Sequence, residues 1–434
     1  MSNRQAETGH QQPVWLTLLV VVMRLVVGAT FLFSGVVKAF DPWGTYYKVS
    51  EYLLTLGWDQ LVGLSILFAF ALPAFEMMVG VVLAVGAFRR GGPVAALVLM
   101  AVMLPLSVWL AVTNAVPDCG CFGDALHLSN TATLGKNVLL TSGCVFLLVY
   151  GRHTRGWYGP AVQWVVLLLT FTLAMLWATF GYIDQPLVDF RPFPVGTRVS
   201  ALSHAVDDDS YRFIYERDGE RREFGIDSVP DEEDGWTFVA RRELPPPADT
   251  AAAGTRTISI VDQTGDRTDD VLDNAKLLLL LFPDLESISA AHSYPLNELS
   301  DAAKEQGVAV FGLTGASYGQ IAEWADLSMA DYPMLVADNS EIKMIARGNP
   351  AVVYLSNDTI VWKRTLTSID EEKIQNQPIE RMGDDLNKSY FLPNTVVLYV
   401  LTMLALLVFN RIHVLVLSLV RRLRPRKGPE QANS

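Results

Sequence analysis

The sequence predicts a polytopic α-helical membrane protein that carries an exported α/β domain. Three observations predict it: six long apolar runs, acidic charge concentrated between the fifth run and the sixth, and strand–helix alternation within that acidic stretch. Half of the 434 residues are hydrophobic and the mean hydropathy is positive, yet the net charge is −12. These facts agree when apolar and acidic residues occupy different parts of the chain. Of the 46 acidic residues, 38 lie between Asp184 and Asp385, against 18 basic ones there. That stretch therefore carries about −20, and the remainder is net basic. An acidic domain repels phosphates, which excludes nucleic acid as a partner and leaves the lipid bilayer as the first one.

The runs fall at 14–37, 61–86, 93–114, 133–150, 161–183 and 391–410, each apolar enough to cross about 30 Å of hydrocarbon. The first is too long for a signal-peptide core and lacks a small-residue cleavage site, so it is expected to stay as a span. Arg89 and Arg90 follow span two, Arg152 and Arg155 follow span four, and Arg411, Arg421, Arg422, Arg424, Arg426 and Lys427 follow span six. With six crossings these positions share one side, which the positive-inside rule makes the cytoplasm. The expected location is a bacterial inner membrane, with both termini cytoplasmic and residues 184–390 periplasmic. "FDPWGTYYKVSEYLLTLGW", after span one, has the aromatic content of a short amphipathic helix on the outer surface.

The exported part begins with "DQPLVDFRPFPVGT", a proline-rich stretch that reads as an extended linker. Alternating runs on both sides of Asp218-Gly219 predict a hairpin, and "DEEDGWTFVARREL" a further strand. "LPPPADTAAAGT" reads as a second linker. Beyond it, the continuous apolar run "KLLLLLF" (276–282) predicts a strand buried on both faces. A helix over 285–306, a strand at 308–314, a helix over 317–327, a strand at 332–338 and the short helix "SEIKMIA" follow. A hairpin turning at Asn357-Asp358 closes the series, as in an α/β domain with a mixed sheet.

Candidate chemistry starts with "DCGCFGD", which holds Cys119 and Cys121 on the oxidising side of the membrane. A disulfide there closes a very short ring whose strain makes it easily reduced, which suits a catalytic bond. Asp118 and Asp124 would raise the thiol pKa values, whereas Lys136, near the start of span four, could lower them. A structural disulfide that locks the loop is the second reading. A metal site is the third, although only His127 stands near as a further ligand, so no metal is assigned. Cys144 falls inside hydrocarbon and reads as a packed residue. Arg24 and Glu76 each sit ten residues from a cytoplasmic helix edge, about 15 Å deep, so they are expected to pair. Such a pair is either a clamp between helices or a polar patch for a quinone head group or a proton path.

"RLVVGATFLFSGVVKAFDP" and "PAFEMMVGVVLAVG" resemble the first two helices of the DoxX family of bacterial membrane proteins. "DCGCFGD" followed by "LGKNVLL" resembles the MauE branch, and "VDFRPFPVGT" with "FIYERDGERREF" resembles a longer DoxX-family subgroup with an added periplasmic domain. The resemblance implies a DoxX/MauE-like four-helix membrane domain over 1–156 and a fifth membrane helix over 157–184. A β-rich periplasmic segment (185–250), a degenerate thioredoxin-like domain (251–390) and a sixth helix with a basic tail (391–434) complete the division. In that fold Pro350 takes the cis-proline position, while "FPDLES" (282–287) stands where a C-x-x-C would be, and no cysteine follows Cys144. The implied function is envelope thiol–disulfide redox through Cys119 and Cys121, with quinone as the implied electron acceptor. The exported domain is then a docking module for a periplasmic protein partner. The alternatives are a non-catalytic assembly scaffold and, from DoxD-type relatives, oxidation of thiosulfate.

Overall fold

The computed structural model describes residues 13–116, 118–154, 156–199, 211–217, 220–224, 236–243, 258–383 and 388–423. Two compact units emerge, Met1–Phe190 with Leu386–Ser434, and Arg191–Asp385. Arg155, the hairpin tip at 218–219, the expected linker at 244–255 and the basic tail from 424 onward lie outside the described residues.

Among the described residues of the first unit, six helices are long and apolar enough to cross a membrane. Helix α1 is Val14–Phe40 and α2, the short surface helix, is Pro42–Thr55. Next come α3 (Ser65–Val85), α4 (Gly91–Thr113), α5 (Asn130–Tyr150) and α6 (Pro160–Ile183). The last helix, Lys388–Leu423, is longer than the expected 391–410, because apolar residues resume after Arg411 with no glycine or proline to stop them.

Small residues set the tightest packing. A Cβ on Gly80 of α3 would lie 2.4 Å from the Leu32 nitrogen of α1, and one on Gly28 would lie 2.8 Å from the Ala84 nitrogen. The two backbones therefore touch, as small residues allow between membrane helices. One core, with Val27, Phe31, Val79, Met100 and Cys144, draws on α1, α3, α4 and α5, the four helices of the expected bundle. Helix α6 is not a separate span beside it: Leu173, Ala174 and Trp177 share a core with Phe40 and Met77.

The second unit contains two sheets. A three-stranded antiparallel sheet has the order β2-β1-β3, from β1 (Tyr211–Arg217), β2 (Glu220–Phe224) and β3 (Thr237–Glu243). The seven-stranded sheet uses β4 (Ile260–Asp262), β5 (Gly265–Asp266), β6 (Lys276–Phe282) and β7 (Ala309–Thr314). It is completed by β8 (Met334–Ala337), β9 (Ala351–Ser356) and β10 (Thr359–Thr365), in the order β10-β9-β6-β7-β8-β4-β5. Strands β6, β7 and β8 run parallel, and the β9–β10 hairpin is antiparallel beside β6. That arrangement is thioredoxin-like. The run "KLLLLLF" is continuous because alternate side chains feed opposite faces: Leu277, Leu279 and Leu281 join one core, Leu278, Leu280 and Phe282 the other. Both Asn357 and Asp358 have positive φ, which gives the tight turn the hairpin needs.

Two expectations change. The helix placed at 285–306 starts at Ser293, behind a 3-10 turn at Ala290–His292, because the Asp284 and Ser289 side chains accept backbone N–H groups and form turns first. The proline-rich stretch is no free linker over its second half. Phe193 and Val199 lie in the α/β core, and Gly196 and Val199 donate backbone hydrogen bonds to Ile360 and Asp358. Proline is tolerated there because this strip lies along the edge of β10.

Candidate functional site

The loop between α4 and α5 is held at both ends and in the middle. Asn114 ends α4 in the left-handed region, and Ser129 caps α5 by accepting from the Ala132 N–H. Asn130 donates to the Val116 carbonyl at 3.0 Å. Gly120 has φ +62°, and its N–H donates to Asp118 Oδ1 at 2.8 Å, which tightens the turn between the two cysteines. Their sulfurs lie 3.0 Å apart as free thiols. Cys119 is buried beside Leu110 and Val116, whereas Cys121 is half-buried. A shallow opening onto the pair is lined by Asp118, Phe122, Leu126 and Thr133.

Both cysteine carbonyls are anchored by helices distant in sequence. Tyr52 of α2 donates to the Cys119 carbonyl at 2.8 Å. Lys38 Nζ and Ser34 Oγ, one turn apart on α1, both donate to the Cys121 carbonyl at 2.6 Å. Lys38 also donates to Ser34 Oγ at 2.6 Å and forms a buried ion pair with Glu76 of α3 at 2.8 Å. Around the loop, Lys136 Nζ sits 4.3 Å from the centroid of the Phe122 ring. Asp118 approaches both Lys48 (3.5 Å) and His127 (3.3 Å).

These contacts make the two thiols unequal. Cys121 is lowered to about 6, first by the hydrogen bond from the Cys119 thiol, and then, against the opposing cost of burial, by the ammonium groups of Lys136 and Lys38. Cys119 is pushed well up, because its proton is held in the hydrogen bond to Cys121 and because it is buried. The Tyr52 hydroxyl is likewise raised, first of all by burial. The hydrogen bond with His127 is the main cause that holds Asp118 at about 2, with Lys48 and the Gly120 N–H assisting against burial. The two sulfurs thus share one hydrogen bond, and Cys121 is the one nearer the ammonium groups of Lys136 and Lys38.

The expected partnership of Arg24 with Glu76 does not occur. Arg24 donates to the carbonyls of Leu83 and Ala84 and to Thr154 Oγ1, at the far end of α3. A Cβ on Gly86 would meet its guanidinium, so residue 24 stands level with residue 86. Helix α1 extends past the end of α3, and ten residues, about 15 Å along the helix, separate Arg24 from the level of Glu76. Lys38 and Ser34 hold the places that sequence reasoning left unassigned. Their i, i+4 spacing on an apolar helix, with the charge inside the span, was the available signal. Tyr52 gave none. Cys144 is fully buried in the bundle core. Among the described residues no three His, Cys, Asp or Glu side chains are gathered as a metal would require.

In the α/β unit the Asn349–Pro350 peptide is cis. Asn349 Nδ2 donates to the Asp284 carbonyl at 2.7 Å and to Ser287 Oγ at 2.8 Å. The loop that stands where a thioredoxin carries its cysteines is thus tied to the cis-proline loop by hydrogen bonds.

With this geometry in view, comparison with known proteins bears on part of the membrane unit. Residues 16–151 match the family model of methylamine utilisation protein MauE. Every residue of the site, from Ser34 to Lys136, lies inside the MauE-matching segment. Residues 210–244 match a domain of unknown function, DUF8463. No curated protein matches the chain. Among solved structures, the chain is similar to the bacterioferritin comigratory protein of Xanthomonas campestris, described for its alkyl peroxide reduction activity. The identity is 13%, with 31% of this chain and 91% of that one covered and a TM-score of 0.21, a likeness that carries no argument. The thioredoxin-like description of the second unit stands on its own strand order.

Proposed function

We propose that the protein is an inner-membrane thiol–disulfide oxidoreductase of the bacterial envelope, with Cys119 and Cys121 as its redox pair. The observation that carries this reading is the placement of two free sulfurs 3.0 Å apart in one anchored loop, with the Lys38 ammonium on the Cys121 carbonyl. In the oxidised form a partner thiolate attacks Cys119 Sγ, the Cys119–Cys121 bond breaks, and Cys121 leaves as a thiolate beside Lys136. The lower-pKa thiol is the better leaving group, which selects this direction of attack. A second partner thiolate then displaces Cys119, which takes up a proton. The partner gains a disulfide, and the pair gains two electrons.

Return to the oxidised form would require a two-electron acceptor, with the Cys119 proton released as the Cys119–Cys121 bond re-forms; the acceptor class the sequence implied is a quinone. The residues at the Arg24–Glu76 level do not fit its head group: Arg24 is bound to two carbonyls and a hydroxyl, and Glu76 is bound to Lys38. No step is therefore drawn through that level. The orientation follows the arginine asymmetry, with the cysteine loop and the α/β unit periplasmic and both termini cytoplasmic. The α/β unit, with hydrogen bonds in place of thiols at its cis-proline loop, is the docking module for the protein partner.

The test is trapping in cells. Cys119→Ala should accumulate partner-linked mixed disulfides through Cys121, the more acidic thiol, because no neighbouring thiol is left to release the partner. If none form, and the Cys119→Ala/Cys121→Ala double variant still supports function, the pair is a structural lock and the protein a scaffold.

A further inference from the structure

The buried ion pair beneath the loop has a feature that a helix clamp does not require. Lys38 and Glu76 are 5% and 4% exposed, and α1 and α3 are already in backbone contact through Gly28 and Gly80. The ammonium nevertheless reaches past its carboxylate partner. Four acceptors surround its three hydrogens: Glu76 Oε1 and Oε2 at 3.0 and 2.8 Å, Ser34 Oγ at 2.6 Å, and the Cys121 carbonyl at 2.6 Å. Ser34 passes its own proton to that same carbonyl. The Cys121 carbonyl therefore accepts two hydrogen bonds, one of them charge-assisted. Of the two buried charges, only the ammonium touches the loop. The ion pair presents its positive end to the residue that must leave as an anion.

We propose that Lys38, oriented by Glu76 and Ser34, is a positioning residue for the cysteine pair: it fixes the Cys121 backbone from within the bundle and stabilises the departing thiolate. This inference rests on the exchange reading above. The covalent step is the one already written, with the Cys119–Cys121 bond breaking as the partner–Cys119 bond forms and the electron pair moving to Cys121 Sγ. Other charged or titratable groups around the loop are Lys136, Lys48, Glu51, Asp118, Asp124, His127 and Tyr52. Asp118 is already engaged by Lys48, His127 and the Gly120 N–H. Lys38 alone acts from the buried side.

The experiment uses the full chain in lipid nanodiscs, equilibrated against reduced and oxidised glutathione, with the disulfide fraction read by mass spectrometry of alkylated peptides. The pH profile of Cys121 alkylation by iodoacetamide in the reduced protein is the second readout. The Lys38→Met/Glu76→Gln variant removes both charges and leaves neither buried alone. It should shift the equilibrium up to about tenfold toward the disulfide, a potential about 30 mV more reducing, and should move the alkylation midpoint upward. Lys38→Arg keeps the charge and should stay within about threefold of wild type. Ser34→Ala, which tests the same idea if the double variant does not insert, should shift both readouts in the same direction by a smaller factor. Arg24→Gln, which alters a buried cation at the other end of the helix, should leave both unchanged.

Wild-type values in the double variant and in Ser34→Ala overturn the inference, as does an equal shift in Arg24→Gln. A wild-type pair that never exchanges with glutathione overturns the exchange reading itself, and the inference falls with it.

Discussion

Replacing Lys136 with methionine should raise the pKa at which Cys121 ionises. With its pKa held below the ordinary thiol value, Cys121 is ionised to a larger fraction at neutral pH than an ordinary thiol near 8.5, which is only a few per cent thiolate. Among the causes of that lowering, the Lys136 ammonium comes directly after the Cys119 hydrogen bond and the opposing burial cost. A nearby opposite charge moves a titrating group by about 1–3 units. Lys136 is only half-buried and also rests on Phe122, so the lower part of that range applies, about 1–2 units or roughly 1.4–2.7 kcal/mol. The leaving-group dependence of thiol exchange, with a slope near one half, then slows release of Cys121 by about three- to tenfold. The assay is the rate of iodoacetamide labelling against pH, resolved by residue, together with the exchange rate with a small disulfide. An unmoved midpoint, or a wild-type protein that labels at Cys119 before Cys121, would refute the assignment of Cys121 as the more acidic thiol.

Three further outcomes are expected. Asp118 has a folded value of about 2, below an unfolded value near 3.9, so its contribution is fully present above about pH 4 and is lost as pH falls through 2. Asp118→Asn should therefore cost about 2 kcal/mol of loop stability at pH 7 and almost nothing near pH 2, read by hydrogen exchange at Gly120. Gly120→Ala forces a side chain into positive φ, with its Cβ 2.7 Å from Lys48 Cγ; it should destabilise the loop by about 1–2 kcal/mol and speed alkylation of Cys119, whereas wild-type labelling would mean the turn is not strained. In the α/β unit, Asn349→Ala removes bonds to Asp284 and Ser287 and should lower the stability of that unit by about 1–3 kcal/mol in urea unfolding, without changing the potential of the cysteine pair.

Much of the fold was legible because its signals are local. Hydropathy reports the apolar runs wherever the helices later pack, and the surface helix after α1 shows in its aromatic content. The strand at 276–282 is readable because a segment buried on both faces must be apolar throughout. The helix expected from 285 shows the limit of such patterns. Side-chain acceptors at Asp284 and Ser289 divert the backbone into turns, a competition that periodicity does not record. The proline-rich stretch misled in a related way. Its composition says only that it cannot lie inside a sheet, not that Phe193 and Val199 will be buried beside one.

The site divides along the same line. The cysteine pair and its one-glycine spacing follow from residue order. Partnership between buried charges does not, because it depends on how far one helix slides along another. That offset is set where Gly28 and Gly80 let α1 and α3 touch, and it carries Arg24 to the end of α3 while bringing Lys38 to Glu76. An error of ten residues in assumed depth is about 15 Å, enough to exchange one ion pair for another. Composition placed two cysteines in one loop, but only the packing of α1, α2 and α5 around it brings Lys38, Tyr52 and Lys136 to the pair.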